Sequence, residues 1–251
     1  MDLEYDDAGF SLGELRFDLV HGAESQTRPC RYPNFILVKT REMIDSYIER
    51  LRGRRNDSLL ELGILRGGSV AFFNELLRPR RHMAIDIHNA AAEVLTPLAA
   101  KAARGGRDLL VRYDISQSDT GAIEEAYRQR FKEEPQFDLI IDDASHFYEL
   151  SLASFNGLFR LVRPGGVYAI EDWAWGHWPD FQKPENQLFN EPALSNLVSY
   201  CVLGCAAKTA GVARVDVTQD TAFVYRNAFP IPRDFRIESS FPTRGRAFVK
   251  L

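Results

Sequence analysis

From Ser58 to Trp173 short apolar runs alternate with longer amphipathic ones, and this alternation restricts the possible folds more than any other feature of the chain. Runs of four to six apolar residues are too short for buried helices and suit strands covered on both faces, while the stretches between them have helical length and spacing. Strand and helix in repetition predict a doubly wound α/β fold with a mostly parallel sheet. The candidate strands are LLELG, MAIDI, LLVRYD, FDLIID and VYAIED. Helices are expected around 68–77, 90–104, 119–132 and 148–162, the last stopped by Pro164-Gly165-Gly166. A further helix is expected near 191–208, and two β-rich runs, VARVDV and TAFVYRN, are close enough in sequence to form an antiparallel hairpin at the sheet edge.

Before this region, ILVKTREMIDSYIERL places Ile36, Met43, Ile44, Tyr47, Ile48 and Leu51 near helical spacing, so one helix is expected ahead of the first strand. Residues 1–35 show no firm periodicity and are read as an N-terminal segment, a candidate lid or homo-oligomer contact. Residues 36–228 form the main domain, and 229–251, with Pro230, Pro232 and Pro242, a tail expected to pack back on it. With 45% hydrophobic and 26% charged residues the chain can bury a sizeable core, which excludes a disordered protein. The net charge is −4, and the basic spots RGRR and RPRRH are too short for a nucleic-acid tail, so no nucleic-acid partner is expected. The acidic start MDLEYDDAGF lacks the pattern of a secretory signal, and no apolar span has membrane length. A cytoplasmic protein without a membrane partner is expected. Cys30, Cys201 and Cys205 form no CxxC and are read as buried thiols in preference to metal or redox sites.

The exit of the first strand of the alternating region, LLELGILRGGS, carries Glu61, Gly63, Gly67 and Gly68. A parallel sheet binds ligands at this edge, and glycine lets the backbone come close to them. Leu65 stands where a dinucleotide fingerprint needs its second glycine, which disfavours a pyrophosphate. An acid ahead of the loop suits a ligand with a cationic amino acid group, pointing to S-adenosylmethionine. Asp86 closes the second strand, where a carboxylate can accept from both ribose hydroxyls. Asp114 closes the third, with Ile115 and Gln117 nearby as candidates around an adenine ring. The plainer role for each is a turn former or helix cap. Their recurrence at successive strand ends favours a nucleoside-like cofactor.

The motifs ELGILRGGS, AIDI, FDLIIDDASH and LVRPGGVYAIED resemble those of class I S-adenosylmethionine-dependent methyltransferases, which have a Rossmann-like fold. More specifically, they resemble the metal-dependent small-molecule O-methyltransferases, including those acting on sugar hydroxyls of macrolide antibiotics. The matching region is roughly Ser58 to Trp173, under half of the chain. The resemblance implies that 36–228 is the methyltransferase domain and that Glu61, Gly63, Ser69, Asp86 and Asp114 belong to the cofactor set. Gly67, Gln117 and the strand-end Asp142 are counted with them.

Two acidic groups end neighbouring strands. Asp143 lies just past the fourth, and Glu171 and Asp172 close the fifth; adjacent strands are about 4.8 Å apart, so their ends lie side by side. Three converging carboxylates repel unless a cation or proton joins them, and Mg²⁺ prefers such hard oxygens. Aligned with the sugar methyltransferases, Asp143 rather than Asp142 is the ligand. His146 follows by three residues and can take a proton from an alcohol; its plainer role is capping or packing on Phe147 and Tyr148. The resemblance implies the general-base role. Trp173, Trp175, His177 and Trp178, in EDWAWGHWPD, are candidates for a substrate pocket or for a hydrophobic lid.

The expected activity is Mg²⁺-assisted methyl transfer from S-adenosylmethionine to a hydroxyl of a small molecule, plausibly a natural-product sugar, with His146 as base. Two rivals remain. One is an oxygenase component, because cephalosporin hydroxylation proteins resemble the same acidic set. The other is a non-catalytic cofactor-binding or assembly protein.

Overall fold

Three short strands precede the alternating region: β1 (Gly9–Leu12), β2 (Leu15–Leu19) and β3 (Asn34–Leu37), with the single-turn helix α1 (Glu24–Thr27) before β3 and α2 (Arg41–Leu51) after it. The computed structural model describes residues 3–89, 92–208 and 210–251. Residues 90 and 91, at the start of the helix expected over 90–104, lie outside the described residues, as does 209.

This region departs from the sequence expectation in two ways. The helix expected from Ile36 begins at Arg41, because Asn34–Leu37 pairs with β2 and Thr40 caps the helix, its side chain accepting from Met43 N at 3.1 Å. The segment 1–35 contains strands, and the boundary drawn at 35/36 falls inside β3. Strands of four or five residues offer only two or three inward positions each, too few to register as a period in sequence. Those positions nevertheless carry much of one core. Phe10 and Phe17 set their rings 5.8 and 5.9 Å from Phe72 on the main domain, and Phe35 stacks on Phe17.

The main sheet contains β4 (Ser58–Leu62), β5 (Arg81–Ile85), β6 (Asp108–Arg112), β7 (Phe137–Asp142), β8 (Val162–Glu171), β9 (Val212–Val217) and β10 (Thr221–Arg226). Their order is β6-β5-β4-β7-β8-β10-β9, parallel from β6 to β8 with β10 antiparallel to β8 and β9. The expected doubly wound sheet with a closing hairpin is present. Helices α3 (Gly68–Leu77), α4 (Ala92–Arg104), α5 (Thr120–Phe131) and α6 (Tyr148–Leu158) link the parallel strands, and α7 (Ser195–Ala207) precedes the hairpin. Leu60 and Leu62 face one core and Leu59 the other, so β4 is buried on both sides. The turn Pro164-Gly165-Gly166 lies within β8 rather than ending a helix; α6 stops at Leu158 and one 3-10 turn leads into the strand. The 229–251 tail returns to the domain, burying Phe235, Ile237 and Phe241. Cys201 is buried, whereas Cys30 and Cys205 are half-buried.

The chain passes from β4 outward to β5 and β6, then back to β7 on the other side of β4. The two halves therefore diverge between β4 and β7, opening a crevice at their carboxyl ends. β3 packs directly over the start of α3: a Cβ added at Gly68 would stand 1.8 Å from Ile36 O. Gly68→Ala is expected to destabilise the fold by ~1–3 kcal/mol through overpacking, read as a lower denaturant midpoint at unchanged slope. An unchanged midpoint would refute the contact.

Candidate functional site

The crevice is shaped first by the loop leaving β4. Gly63 has φ +93°, and a Cβ there would meet Asp143 O at 2.0 Å, so glycine is what allows the β4 and β7 exits to touch. Asp143 N donates to Leu62 O at 2.9 Å across the same gap. Asp86 braces the loop: Oδ2 accepts from Ile64 N at 2.8 Å and Leu65 N at 3.1 Å, while Oδ1 accepts from His88 N at 2.8 Å.

A cleft of about 350 Å³ runs between Gly63, Leu65, Asp86, Ile115, Gln117, Asp143 and Phe147, large enough for a nucleoside. A smaller recess of about 30 Å³ continues past Gly63 to Ser69, Arg66 and Lys39, and Asp143 borders both spaces. Gly63, Ser69, Asp86 and Gln117 thus line the cleft or its recess. The Gln117 side chain is also tied into the wall, donating to Asp142 Oδ1 at 3.1 Å and accepting from Ser145 N at 3.0 Å.

Four expected cofactor residues do not line it. Glu61 is fully buried on the α3 side of the sheet, its carboxylate 3.4 Å from His82 Nε2; strand alternation turns it inward two residues before the loop opens. Gly67 is the left-handed residue at the N-cap of α3, with φ +85°. Asp114 is exposed, at φ +62°, and leaves the lining to Ile115 and its successors. Asp142 points into the core, accepting from Tyr168 OH at 3.0 Å and from Gln117; burial pushes its carboxyl up to about 7.

The acidic groups meet, though not as the sequence suggested. Asp143, His146 and Asp172 each offer a ligand atom within 4.8 Å of the others. His146 Nε2 lies 3.8 Å from Asp143 Oδ1 and 3.7 Å from Asp172 Oδ2, too far for hydrogen bonds and close enough to share a small cation or a proton-bearing oxygen. His146 and Asp172 both have positive φ, +59° and +52°, an uncommon conformation for non-glycine residues that Asp and His adopt more readily than most. The Asp172 N–H donates to Asp220 O at 2.7 Å in the β9–β10 turn.

Glu171, expected as a third metal donor, is instead buried and already partnered. Oε1 accepts from Tyr47 OH at 2.7 Å, and Oε2 is in ion-pair contact with Lys39 Nζ. The same ammonium lies 2.9 Å from Asp143 Oδ2. Lys39 was missed in the sequence because it sits in a stretch read as helix; a lone cation ending the apolar run NFILV, ahead of the capping Thr40, was the signal available. Burial pushes Glu171 up to about 8 and raises Asp172 as well, with the Asp143 charge adding to both. Burial would lower Lys39, but Asp143 and Glu171 outweigh it and hold the ammonium charged. Acids and ammonium shift in the same direction because three carboxylates share one internal cation, leaving the site short of positive charge. The hard oxygens of Asp143 and Asp172 beside one imidazole suit a divalent cation in that position.

The tryptophans divide. Trp175 is buried and its indole N–H donates to His146 O at 3.0 Å, so it supports the loop rather than lining a pocket. Trp173 is half-buried and donates to Thr218 O at 3.0 Å. Trp178 is half-buried against Phe181, and exposed His177 pairs its Nε2 with Ser195 Oγ at 2.8 Å. Trp175→Phe removes the donor to His146 O and is expected to cost about 1–3 kcal/mol of stability. If denaturation is unchanged while the Michaelis constant for substrate rises, Trp175 belongs to the substrate pocket after all.

Comparison with known proteins places this edge in context. A family model described as a methyltransferase domain matches residues 60–173. Over 45 residues the chain is 53% identical to demethylmacrocin O-methyltransferase of Streptomyces fradiae and 51% identical to mycinamicin VI 2''-O-methyltransferase of Micromonospora griseorubida. Each match covers 18% of this chain and 11% of the relative. The solved structure of MycE methyltransferase from the mycinamycin biosynthetic pathway, in complex with Mg, SAH and mycinamycin VI, superposes with TM-score 0.52 at 22% identity. That match covers 80% of this chain and 51% of the other, a likeness of fold. The chain thus spans about half of that structure and a small part of the curated relatives.

Proposed function

We propose that this chain, which has the class I methyltransferase fold and resembles macrolide sugar O-methyltransferases, transfers a methyl group from S-adenosylmethionine to a hydroxyl of a small glycosylated molecule. The observation that carries this reading is the double position of Asp143. It borders the nucleoside-sized cleft and also belongs to the cluster with His146 and Asp172, so cofactor and acceptor hydroxyl would meet at one point.

Each residue's task follows from its place. Gly63, Ser69 and the Asp86-braced loop hold the cofactor along the β4–β7 crevice. Asp143 and Asp172 would hold a divalent cation, and His146 Nε2, facing both, receives the proton of the acceptor hydroxyl. The cofactor would supply an electrophilic methyl, leaving as S-adenosylhomocysteine, and a cation held by Asp143 and Asp172 would supply positive charge beside the acceptor hydroxyl. The protein's remaining contribution is alignment: a rigid strand edge fixes the acceptor oxygen relative to the cleft. Trp173 and Trp178, near this edge, offer faces for a sugar or macrocycle.

The test is incubation with S-adenosylmethionine labelled in its methyl group and a panel of macrolide glycosides with free sugar hydroxyls. Label in an O-methyl product supports the proposal; absence of both transfer and S-adenosylhomocysteine binding sinks it. Asp86→Ala releases the loop amides at Ile64 and Leu65 and is expected to weaken S-adenosylhomocysteine at least ~10-fold by calorimetry, since the loop that lines the cleft loses the carboxylate that fixes it. Unchanged affinity would place the cofactor elsewhere.

A further inference from the structure

Lys39 is a buried cation at the acidic edge, and the proposed chemistry gives it no task. Its side chain is 1% exposed, its ammonium touches Glu171 Oε2, and it lies 2.9 Å from Asp143 Oδ2. Such an ammonium persists in the interior only when its charge is matched and its donors are used. Asp143 and Glu171 supply that match together, but Asp143 gives only Oδ2 to it. With Tyr47 OH on its other oxygen, each Glu171 oxygen has a strong, buried donor.

From this geometry we infer that Lys39 is a positioning residue that reserves Glu171 as its counter-ion, so that the divalent cation of the proposed reaction is held by Asp143 and Asp172 without Glu171, and His146 faces it as the base. The inference rests on the function proposed above and deepens it. Lys39 performs two tasks. It withdraws one carboxylate from a site where three would otherwise compete for one cation, and it orients Asp143 through Oδ2 while Asp143 Oδ1 faces His146. Because Lys39 also borders the recess between Gly63 and Ser69, the same ammonium fixes the wall where the cofactor cleft meets the acids. Removing it frees Glu171 to join the metal shell, so metal should bind more tightly, but in the wrong arrangement for the acceptor oxygen.

The test uses Mn²⁺ alone as the probe, titrated into the full chain without cofactor and read by electron paramagnetic resonance. Asp143→Asn and Asp172→Asn are expected to weaken Mn²⁺ binding by ~10-fold or more, whereas Glu171→Gln, whose one oxygen can still accept from Lys39 while its NH₂ donates to Tyr47 Oη, should change it less than about 3-fold. Lys39→Met should tighten Mn²⁺ by ~10-fold, and Lys39→Met/Glu171→Gln should lose that gain, showing that the freed carboxylate caused it. Glu171→Gln carries the inference by itself if Lys39→Met does not fold. Loss of Mn²⁺ in Glu171→Gln equal to that in Asp172→Asn overturns the inference while leaving the proposed function standing. Failure of the unmodified chain to bind Mn²⁺ at all overturns the metal half of the proposed function, and this inference with it.

Discussion

His146→Ala is expected to lower methyl transfer by ~10²–10⁴-fold, the usual contribution of a positioned proton acceptor, while S-adenosylhomocysteine binding stays intact. Its imidazole faces Asp143 and Asp172 from 3.8 and 3.7 Å and makes no hydrogen bond to either, so it is available to a third group placed between them. The loss should fall on turnover more than on the Michaelis constant, and activity should partly return as pH rises and hydroxide takes over the proton. The same variant separates base from ligand. A base leaves Mn²⁺ affinity nearly unchanged, whereas a metal ligand loses affinity along with turnover. A loss of less than about 10-fold in turnover would move the proton acceptor to another group.

Asp143→Asn is expected to lower methyl transfer by ~10²–10³-fold, comparable to removing an electrostatic stabiliser of the reacting oxygen. Among the described residues Asp143 is the one acid that touches every part of the site: the cleft, the recess, Lys39 and the cluster with His146. Asparagine keeps the shape and removes the charge, so partial rescue by high metal concentration separates a metal defect from a folding defect. Chelation should abolish activity of the unmodified chain, and re-addition of Mg²⁺ should restore it. Normal turnover in chelator would refute metal assistance, leaving Lys39 as the cation beside the acceptor.

Much of the fold was legible because its signals are local. FDLIID and TAFVYR are short, mostly apolar runs, and Asp119, read as the start of a helix, caps α5 by accepting from Ala122 N at 3.0 Å. Residues 9–37 were not legible for the opposite reason. Their short strands become recognisable only against Phe72 and the start of α3, partners roughly 30–60 residues away in sequence. For the candidate site, the sequence put Gly63, Ser69, Asp86, Asp143, His146 and Asp172 at one edge of the sheet, and the structure gathers them there. Its errors concerned direction. Asp142 ends the expected strand yet turns toward Tyr168, and Trp175 lies in an aromatic cluster yet is buried beneath the loop that carries His146.

By itself, then, the sequence determined the succession of strands and helices, the edge at which glycines and acids gather, and the kind of chemistry those acids suit. These follow from periodicity and from residue types at strand ends, which need no knowledge of distant partners. The tertiary structure alone decided which acids are free to act. Glu61 faces His82 because of its position on β4, and Glu171 is claimed by Lys39 and Tyr47, which precede it by 132 and 124 residues. A buried carboxylate must be matched by whatever charge and donors the fold brings to it, and that match is made across the chain.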